Sequence, residues 1–254
     1  MWYIITFVNR KEVYMNIFDS WIVKTPIAHR GLHDEEIPEN SLASFENAIR
    51  HNYAIELDLR MTSDGQVVVF HDDNLGRVTG SSGYVNKTKL EDLKKLKLGK
   101  SAETIPTLQE TLELVAGRTP LVIEIKNMNK VGEMERAVWA ILSKYAGEYC
   151  IQSFNPYSLE WFKIHAPQVK RGQLSCYFKK ADIGLVKRAV LKRLLLNKVS
   201  DPNYIAYNVD DLPNKYVRKY KDLPLLAWCV RTLEQKEKAI KYADNIIFEN
   251  VDPE

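Results

Sequence analysis

The feature that most constrains this chain is a regular alternation of short, β-branched strand candidates with helical patterns along its length. Strands joined through helices pair in parallel, because a crossover of that length returns the chain to the same edge of the sheet. A closed (β/α)8 barrel, the TIM barrel, leaves no unpaired edge and suits a chain of 254 residues. An open doubly wound sheet is the alternative α/β fold. The predicted strands are 26–30, 54–60, 121–126, 150–154, 170–176, 204–209, 225–230 and 245–249.

One hairpin signal interrupts this alternation. The Asp64-Gly65 pair supplies the positive-φ residues of a two-residue turn, and residues 67–71 form the returning arm. Counting outward from such a turn sets Asp58 opposite His71, with Cβ atoms roughly 4.5–5.5 Å apart. The sequence therefore predicts that the hairpin carries His71 to the level of Asp58.

The domain organisation follows from one insertion and an uninterrupted remainder. Residues 72–106 are too long for a simple loop and carry a short helix, capped by Thr88, so they are predicted to form a small cap subdomain over one end of the barrel. The chain lacks a linker rich in Pro, Gly or Ser, which favours a single domain over residues 1–254. Met15 opens a second plausible start, which leaves 1–14 as a candidate extension without a catalytic part.

Composition excludes some function classes. A net charge of only +3 gives no nucleic-acid footprint. Cys150, Cys176 and Cys229 are odd in number and far apart, so we interpret them as reduced core residues, which favours a reducing, cytoplasmic compartment. The apolar run at the N-terminus is too short for a membrane span, and no signal-peptide cleavage site follows it.

Carboxylates recur on one face of two predicted strands. Glu56 and Asp58 alternate with aliphatic residues, and Glu124 with Lys126 repeats the pattern on the next strand. Buried carboxylates that repel each other need a cation, and a site built from oxygen ligands favours Mg²⁺ or Ca²⁺ over zinc. The plainer alternatives are a solvated acidic edge strand for the first pair and a structural Glu–Lys ion pair for the second.

Two histidines lie near this acidic face. His29 and Arg30 end the first strand, at the carboxyl-terminal rim of the predicted barrel, and the hairpin returns His71 toward it. Two histidines beside a metal can donate and accept protons, and a guanidinium can grip a phosphate through two hydrogen bonds. The remaining histidines are predicted to be structural or surface residues: His33, His51 and His165.

The chain resembles the glycerophosphodiester phosphodiesterase family over about residues 26–250. The resemblance rests on an ordered series of motifs: Ala28-His29-Arg30-Gly31, Pro38-Glu39-Asn40-Ser41, Ile55-Glu56-Leu57-Asp58, Thr62-Ser63-Asp64-Gly65, Val69-Phe70-His71-Asp72, Ile105-Pro106-Thr107-Leu108, Ile123-Glu124-Ile125-Lys126, Gln152-Ser153-Phe154 and Ala227-Trp228.

The resemblance implies metal-dependent hydrolysis of a glycerophosphodiester to glycerol 3-phosphate and an alcohol, on a barrel with a small insertion after its second strand unit. It implies that Glu56, Asp58 and Glu124 hold the metal and that His29 and His71 act as acid and base. It further implies that Arg30 and Lys126 neutralise the phosphate. Trp228 would be an apolar wall for the glycerol or the leaving group, and core packing is the plainer alternative for it.

One departure from the family concerns the last strand. The family usually shows a Gly-Val-Asp-Gly-Ile-Ile-Thr-Asp-like run, whereas residues 243–250 here read Ala-Asp-Asn-Ile-Ile-Phe-Glu-Asn. Phe248 thus replaces a small polar residue near the barrel mouth. We expect it to alter the leaving-group pocket if its ring faces inward, and to be helix-packing core if strand alternation turns it outward.

Two other functions compete with this interpretation. Residues 185–199 alternate aliphatic with basic side chains, and a basic amphipathic helix can lie on an anionic membrane. This pattern favours hydrolysis of lysophospholipids, a lysophospholipase D-like activity, unless the helix is an ordinary barrel helix. A non-catalytic phosphate-binding barrel is the third interpretation, although binding alone needs no acid–base pair.

Overall fold

The computed structural model of the chain describes residues 17–127, 130–179 and 181–253. The predicted extension over residues 1–14 lies outside this part. Each helix within it is too short or too polar to cross a membrane.

Eight parallel strands close into a barrel at the centre of the fold. They are β1 (Ile27–Ala28), β2 (Ala54–Met61), β4 (Leu121–Ile125), β5 (Tyr149–Ser153), β6 (Lys170–Ser175), β7 (Tyr204–Asn208), β8 (Leu225–Val230) and β9 (Asn245–Phe248), while β3 (Val67–Val69) pairs antiparallel with β2 outside the barrel. Around the barrel the strands pair in the order β1-β9-β8-β7-β6-β5-β4-β2, and β2 pairs again with β1. This closure confirms the predicted (β/α)8 barrel and rules out the open sheet.

The helices begin where side chains satisfy free backbone N–H groups. Ser41 and Thr107 each accept a hydrogen bond from the backbone three residues on, at 3.1 Å. The α-helices are α1 (Trp21–Lys24), α2 (Leu42–Arg50), α3 (Gly76–Thr79), α4 (Leu90–Leu93), α5 (Leu108–Val115), α6 (Glu133–Leu142), α7 (Pro156–His165), α8 (Leu185–Lys192), α9 (Asn197–Ser200) and α10 (Leu233–Tyr242), with single 3₁₀ turns at Val85–Lys87, Val209–Asp211 and Val217–Lys219.

Strand alternation divides the apolar core into two layers. Side chains that point into the barrel form a small cluster, whereas the opposite face of each strand packs against the helices. Phe248 belongs to the outer layer, 2% exposed, with its ring edge-on to Tyr53 at 5.0 Å between centroids. The inward option for Phe248 is therefore wrong, and its ring does not line the barrel mouth. Its neighbours Ile247 and Glu249 point inward instead.

The register of the hairpin differs by one residue from the prediction. Arg60 pairs with Val68, which sets Asp58 opposite Phe70, and the Phe70 N–H donates to the Asp58 carbonyl at 2.9 Å. The loop contains three residues rather than two, because the Thr62 N–H bonds the Gln66 carbonyl and closes the hairpin one position earlier.

The insertion between β3 and α5 contains two short helices and a 3₁₀ turn. A separate apolar cluster fills it: Val68, Phe70, Leu75, Val85, Leu93, Leu98 and Ile105. The predicted cap at Thr88 is wrong. The residue that precedes the first turn of α4 is Lys89, and its side chain makes no capping hydrogen bond. The Leu90 N–H instead donates to the Asp64 carboxylate of the hairpin at 3.1 Å, which ties the insertion to the barrel.

The predicted helix over 185–199 is two helices in the structure. Between α8 and α9 the backbone of Leu194 has φ +58°, and its side chain is buried. Helix α8 consists of residues that all keep part of their surface in solvent, and Leu185 and Val186 are each 79% exposed.

Candidate active site

The predicted carboxylates meet at one end of the barrel interior. Alternation along β2 turns Glu56 and Asp58 inward, and the parallel register places Asp58 beside Glu124 on β4. One oxygen from each carboxylate lies within 4.8 Å of the other two, and the most exposed of the three residues is 7% accessible. This buried acidic triad could hold a metal ion.

Electrostatics in the triad call for a compensating cation. Burial raises the pKa of Glu56 well above its usual value, and the charges of Asp58 and Glu124 raise it further. Burial likewise raises the pKa of Glu124, against the attraction of Lys126. Burial also acts to raise the pKa of Asp58, but Lys126, His71 and Arg30 hold it well below its usual range. Ionisation of all three carboxylates is therefore unfavourable without another cation, and a divalent ion with oxygen ligands offsets their mutual repulsion.

His29 follows β1 at the rim of the same cavity. Its Nδ1 lies 2.8 Å from Glu249 Oε2, and its Nε2 is directed toward Glu56 Oε2 at 4.0 Å. Burial lowers the pKa of His29 to about 4, despite the hydrogen bond to Glu249 that acts to raise it. The imidazole is therefore neutral near pH 7, with Nδ1–H donated to Glu249 and the Nε2 lone pair facing the carboxylates.

His71 lines the same cavity and has a similar arrangement of partners. Its Nδ1 lies 2.6 Å from Asp72 Oδ1, and Asp72 in turn accepts from Arg77 Nε at 2.6 Å. Burial lowers the pKa of His71, so this ring too is neutral near pH 7. The ring nitrogen that does not meet Asp72 is left for chemistry in the cavity.

Two basic side chains flank the triad. The Lys126 ammonium lies 2.8 Å from Glu124 Oε1 and 3.2 Å from Asp58 Oδ1. The Arg30 guanidinium lies 3.4 Å from Asp58 Oδ2 and donates to Glu39 at 2.8 Å. These contacts hold two positive charges beside the predicted metal ligands.

The backbone around Arg30 is unusual. Arg30 has φ +59° and the following Gly31 has φ +78°. A Cβ on Gly31 would lie 2.8 Å from the backbone of Ser44, so only glycine fits there. This turn brings the Arg30 N–H to Glu56 Oε2 at 3.1 Å, which joins the first strand to the triad.

These groups surround a cavity of about 90 Å³. All but one of the residues predicted for the site line this cavity: His29, Arg30, Glu56, His71, Glu124, Lys126 and Trp228. The exception is Asp58, which does not line the cavity. The Trp228 ring forms part of the wall and packs edge-on against Phe154 at 5.5 Å. Trp228 thus has both of the positions considered for it, in the cavity wall and against the barrel core.

Several residues of the site were not identified from the sequence. Asn40, at φ +54°, donates from Nδ2 to Asp58 Oδ2 at 2.9 Å, although the sequence marked it only as part of a family motif, with no role. Cys229, predicted as plain core, lies with Sγ 3.4 Å from His29 Nδ1. Glu249 also accepts from Arg231 at 3.0 Å, and its other oxygen lies 4.0 Å from His33, predicted to be structural or a surface residue. Alternation along the last strand indicates Glu249 only once Ile247 is known to face the cavity.

Comparison with known families gives one consistent result. The model of the glycerophosphoryl diester phosphodiesterase family matches residues 29–252. A glycerophosphodiester phosphodiesterase of Caldanaerobacter subterraneus is 40% identical over 58% of this chain and 65% of that relative, slightly less than two thirds of its length. The Bacillus subtilis protein YhdW, a proposed glycerophosphodiester phosphodiesterase, is 31% identical over 73% of this chain and 86% of its own.

Solved structures share the whole architecture. A phosphodiesterase of Oleispira antarctica, solved in complex with the product sn-glycerol-3-phosphate, superposes with a TM-score of 0.76 at 26% identity. The match covers 89% of this chain and 92% of that one.

Proposed function

The chain belongs to the glycerophosphoryl diester phosphodiesterase family, and we propose that it hydrolyses glycerophosphodiesters to glycerol 3-phosphate and an alcohol. One observation carries the proposal. His29 and His71, both with pKa values lowered by burial, line one cavity beside a triad of buried carboxylates. Hydrolysis of a phosphodiester needs a group that accepts the proton of the nucleophile and a group that protonates the departing alcohol. Recognition of a phosphate needs neither.

Glu56, Asp58 and Glu124 are the proposed ligands of a divalent cation. Three carboxylates that repel one another in a buried cluster match a hard ion that prefers oxygen ligands, Mg²⁺ or Ca²⁺. When bound, such an ion polarises the phosphoryl group and offsets the negative charge that develops on it. Asn40 keeps Asp58 in place through paired hydrogen bonds at 2.9 and 3.3 Å.

The protein's own side chains then bind the phosphate and move the protons. Arg30 and Lys126 provide positive charge for the phosphate oxygens beside the triad. Glu249 holds the His29 ring with Nε2 toward the cavity, and Asp72 does the same for His71. One histidine acts as the base and the other as the acid. Direct attack by water and attack by a glycerol hydroxyl to give a cyclic phosphate both use this pair.

A lysophospholipid is the second candidate substrate. The observation that favours this substrate is a row of three aromatic rings that begins at Trp228 in the cavity wall. The centroid of the Phe154 ring lies 5.5 Å from that of Trp228 and 5.8 Å from that of Phe178. Such a row can lie along an acyl chain. A human relative, lysophospholipase D GDPD1, is 34% identical over 48% of this chain and 42% of its own length.

The test is turnover of glycerophosphocholine and of lysophosphatidylcholine, with Mg²⁺, Ca²⁺, Mn²⁺ or EDTA, followed by phosphorus NMR. We expect glycerol 3-phosphate from the first substrate, with no turnover in EDTA. Replacement of His71 by Ala should lower kcat by roughly 10²–10⁴, whereas His165→Ala, a matched change of an exposed histidine whose ring packs tilted against Trp161, should not. Binding of glycerophosphocholine without turnover under every metal condition would support the phosphate-binding barrel instead.

A further inference from the structure

Helix α8 projects from the catalytic end of the barrel. It is anchored at its carboxyl end, where Ser175 donates to the Leu191 carbonyl at 3.0 Å and the Tyr207 hydroxyl donates to the Lys192 carbonyl at 2.8 Å. Ser175 and Tyr207 lie at the carboxyl-terminal ends of β6 and β7, the end of the barrel at which the carboxylate triad also lies. Among the described residues, the hydrogen bonds that hold this helix to the barrel strands therefore lie at its carboxyl end.

The free end of α8 presents aliphatic side chains to solvent. Leu185 and Val186 occupy its first turn, and each is 79% exposed, more than any other large apolar side chain of the described residues. Gly184 precedes them in an extended conformation. Two adjacent aliphatic side chains in this position bury almost no apolar surface within the molecule, although burial of each is favourable.

Positive charge surrounds this aliphatic tip. Residues 181–200 contain five basic side chains and one acidic, in a chain whose net charge is only +3. The basic residues are Lys187, Arg188, Lys192, Arg193 and Lys198, and the acidic one is Asp182. Exposed aliphatic residues flanked by basic ones match a surface that is apolar inside and anionic outside.

The same segment follows a residue that packs toward the cavity. Phe178, seven residues before Leu185, ends the row of rings that begins at Trp228 in the cavity wall. A surface that contacts the tip of α8 would therefore lie at the same end of the barrel as the active site.

We propose that the first turn of α8 and its basic residues form a docking surface for an anionic lipid bilayer. Leu185 and Val186 enter the interface between headgroups and acyl chains, and the basic side chains lie against the anionic headgroups. The inference is independent of the proposed hydrolysis, because binding to a bilayer is measured without turnover. A second copy of the chain or a protein partner is the competing occupant, but an anionic bilayer matches both the aliphatic tip and its charge.

The experiment is co-sedimentation of the full chain with vesicles of phosphatidylcholine alone or of phosphatidylcholine mixed with phosphatidylglycerol. We expect binding to the mixed vesicles only, weakened by added salt. The double change Leu185→Ser/Val186→Ser should lower the partition coefficient by about tenfold or more, and Lys187→Gln by about fivefold. The matched control is Ile164→Ser/Ile240→Ser, at positions 66% and 69% exposed on α7 and α10, which should bind like the native chain.

The outcomes separate this proposal from the proposed function. Turnover of glycerophosphocholine, a water-soluble substrate, should be the same in all these variants. Unchanged turnover also shows that each variant is folded. Equal binding of the Leu185→Ser/Val186→Ser variant and the native chain would overturn the docking surface, as would equal binding to both kinds of vesicle. If sedimentation velocity shows instead that this variant abolishes self-association and leaves lipid binding unchanged, the occupant is a second copy and the proposal fails. Vesicle binding without turnover of any substrate would refute the hydrolysis and leave the docking surface standing.

Discussion

Replacement of Phe248 by Ser tests whether its ring supports the fold or the substrate pocket. The ring is 2% exposed, packs in the layer between strands and helices, and lies edge-on to Tyr53. Removal of a buried Phe side chain costs roughly 3–5 kcal/mol of folding free energy, and an aromatic pair contributes about 0.5–1.5 kcal/mol of that beyond area burial. Phe248→Ser should therefore lower the free energy of unfolding by about 3–5 kcal/mol.

Urea unfolding followed by circular dichroism measures this loss. The urea concentration at the midpoint should fall, whereas the slope of the unfolding free energy against urea concentration should not change. Phe248→Leu, which keeps most of the volume, should cost less than about 1.5 kcal/mol. The ratio of kcat/KM between glycerophosphocholine and lysophosphatidylcholine should stay constant in both variants. Ile247→Ala, the inward neighbour that lines the cavity, is where we expect that ratio to change. A changed ratio in Phe248→Ser with little loss of stability would refute the outward assignment.

Three further predictions concern the chemistry. Glu124→Gln should remove both divalent binding, measured by calorimetry, and turnover, because it takes one charge from a three-carboxylate site; unchanged metal affinity would mean that the site is misplaced. His71→Ala should lower kcat by roughly 10²–10⁴ and leave metal binding intact, so near-normal kcat would exclude it as acid or base. Glu249→Gln should lower kcat by roughly 10–100-fold, the usual effect of losing the partner that orients a functional histidine, with KM nearly constant; unaltered kcat would show that His29 needs no orientation by Glu249.

The barrel strands and the inward carboxylates could be predicted because both depend on the alternation of side chains between the two faces of a strand. Alternating aliphatic residues predicted strand bounds within two residues of those observed, and the same alternation turns Asp58 and Glu124 to one face, where the observed register pairs them. Such patterns are local, and a single strand displays them in full. Closure of the sheet then brings distant strands together without further information from the sequence.

The errors arose where side-chain hydrogen bonds, which the pattern of apolar residues does not reveal, decide the local structure. The Asp64-Gly65 pair favours a two-residue turn, but Thr62 Oγ1 accepts from the Gln66 N–H at 2.9 Å and stabilises a three-residue loop. The same Asp64 accepts the hydrogen bond from the first N–H group of α4, the role that the sequence assigned to Thr88. His71 reaches the cavity although Phe70 holds the paired position, because the chain leaves the strand after Val69 and turns toward the barrel.

The last strand illustrates how strongly a site depends on the phase of alternation. The sequence drew attention to Phe248, since a large ring stood where a small polar residue was expected. Successive side chains of a strand point to opposite faces, so either Phe248 or the pair of Ile247 and Glu249 can face the cavity, but not both. The sequence of the strand alone does not distinguish these two arrangements. The phase is set by pairing with β1, which places Phe248 beside Ala28 in the outer layer and leaves Glu249 directed at His29. An aromatic residue that seemed to alter selectivity therefore stabilises the fold, and the acidic residue after it is the one that meets the active site.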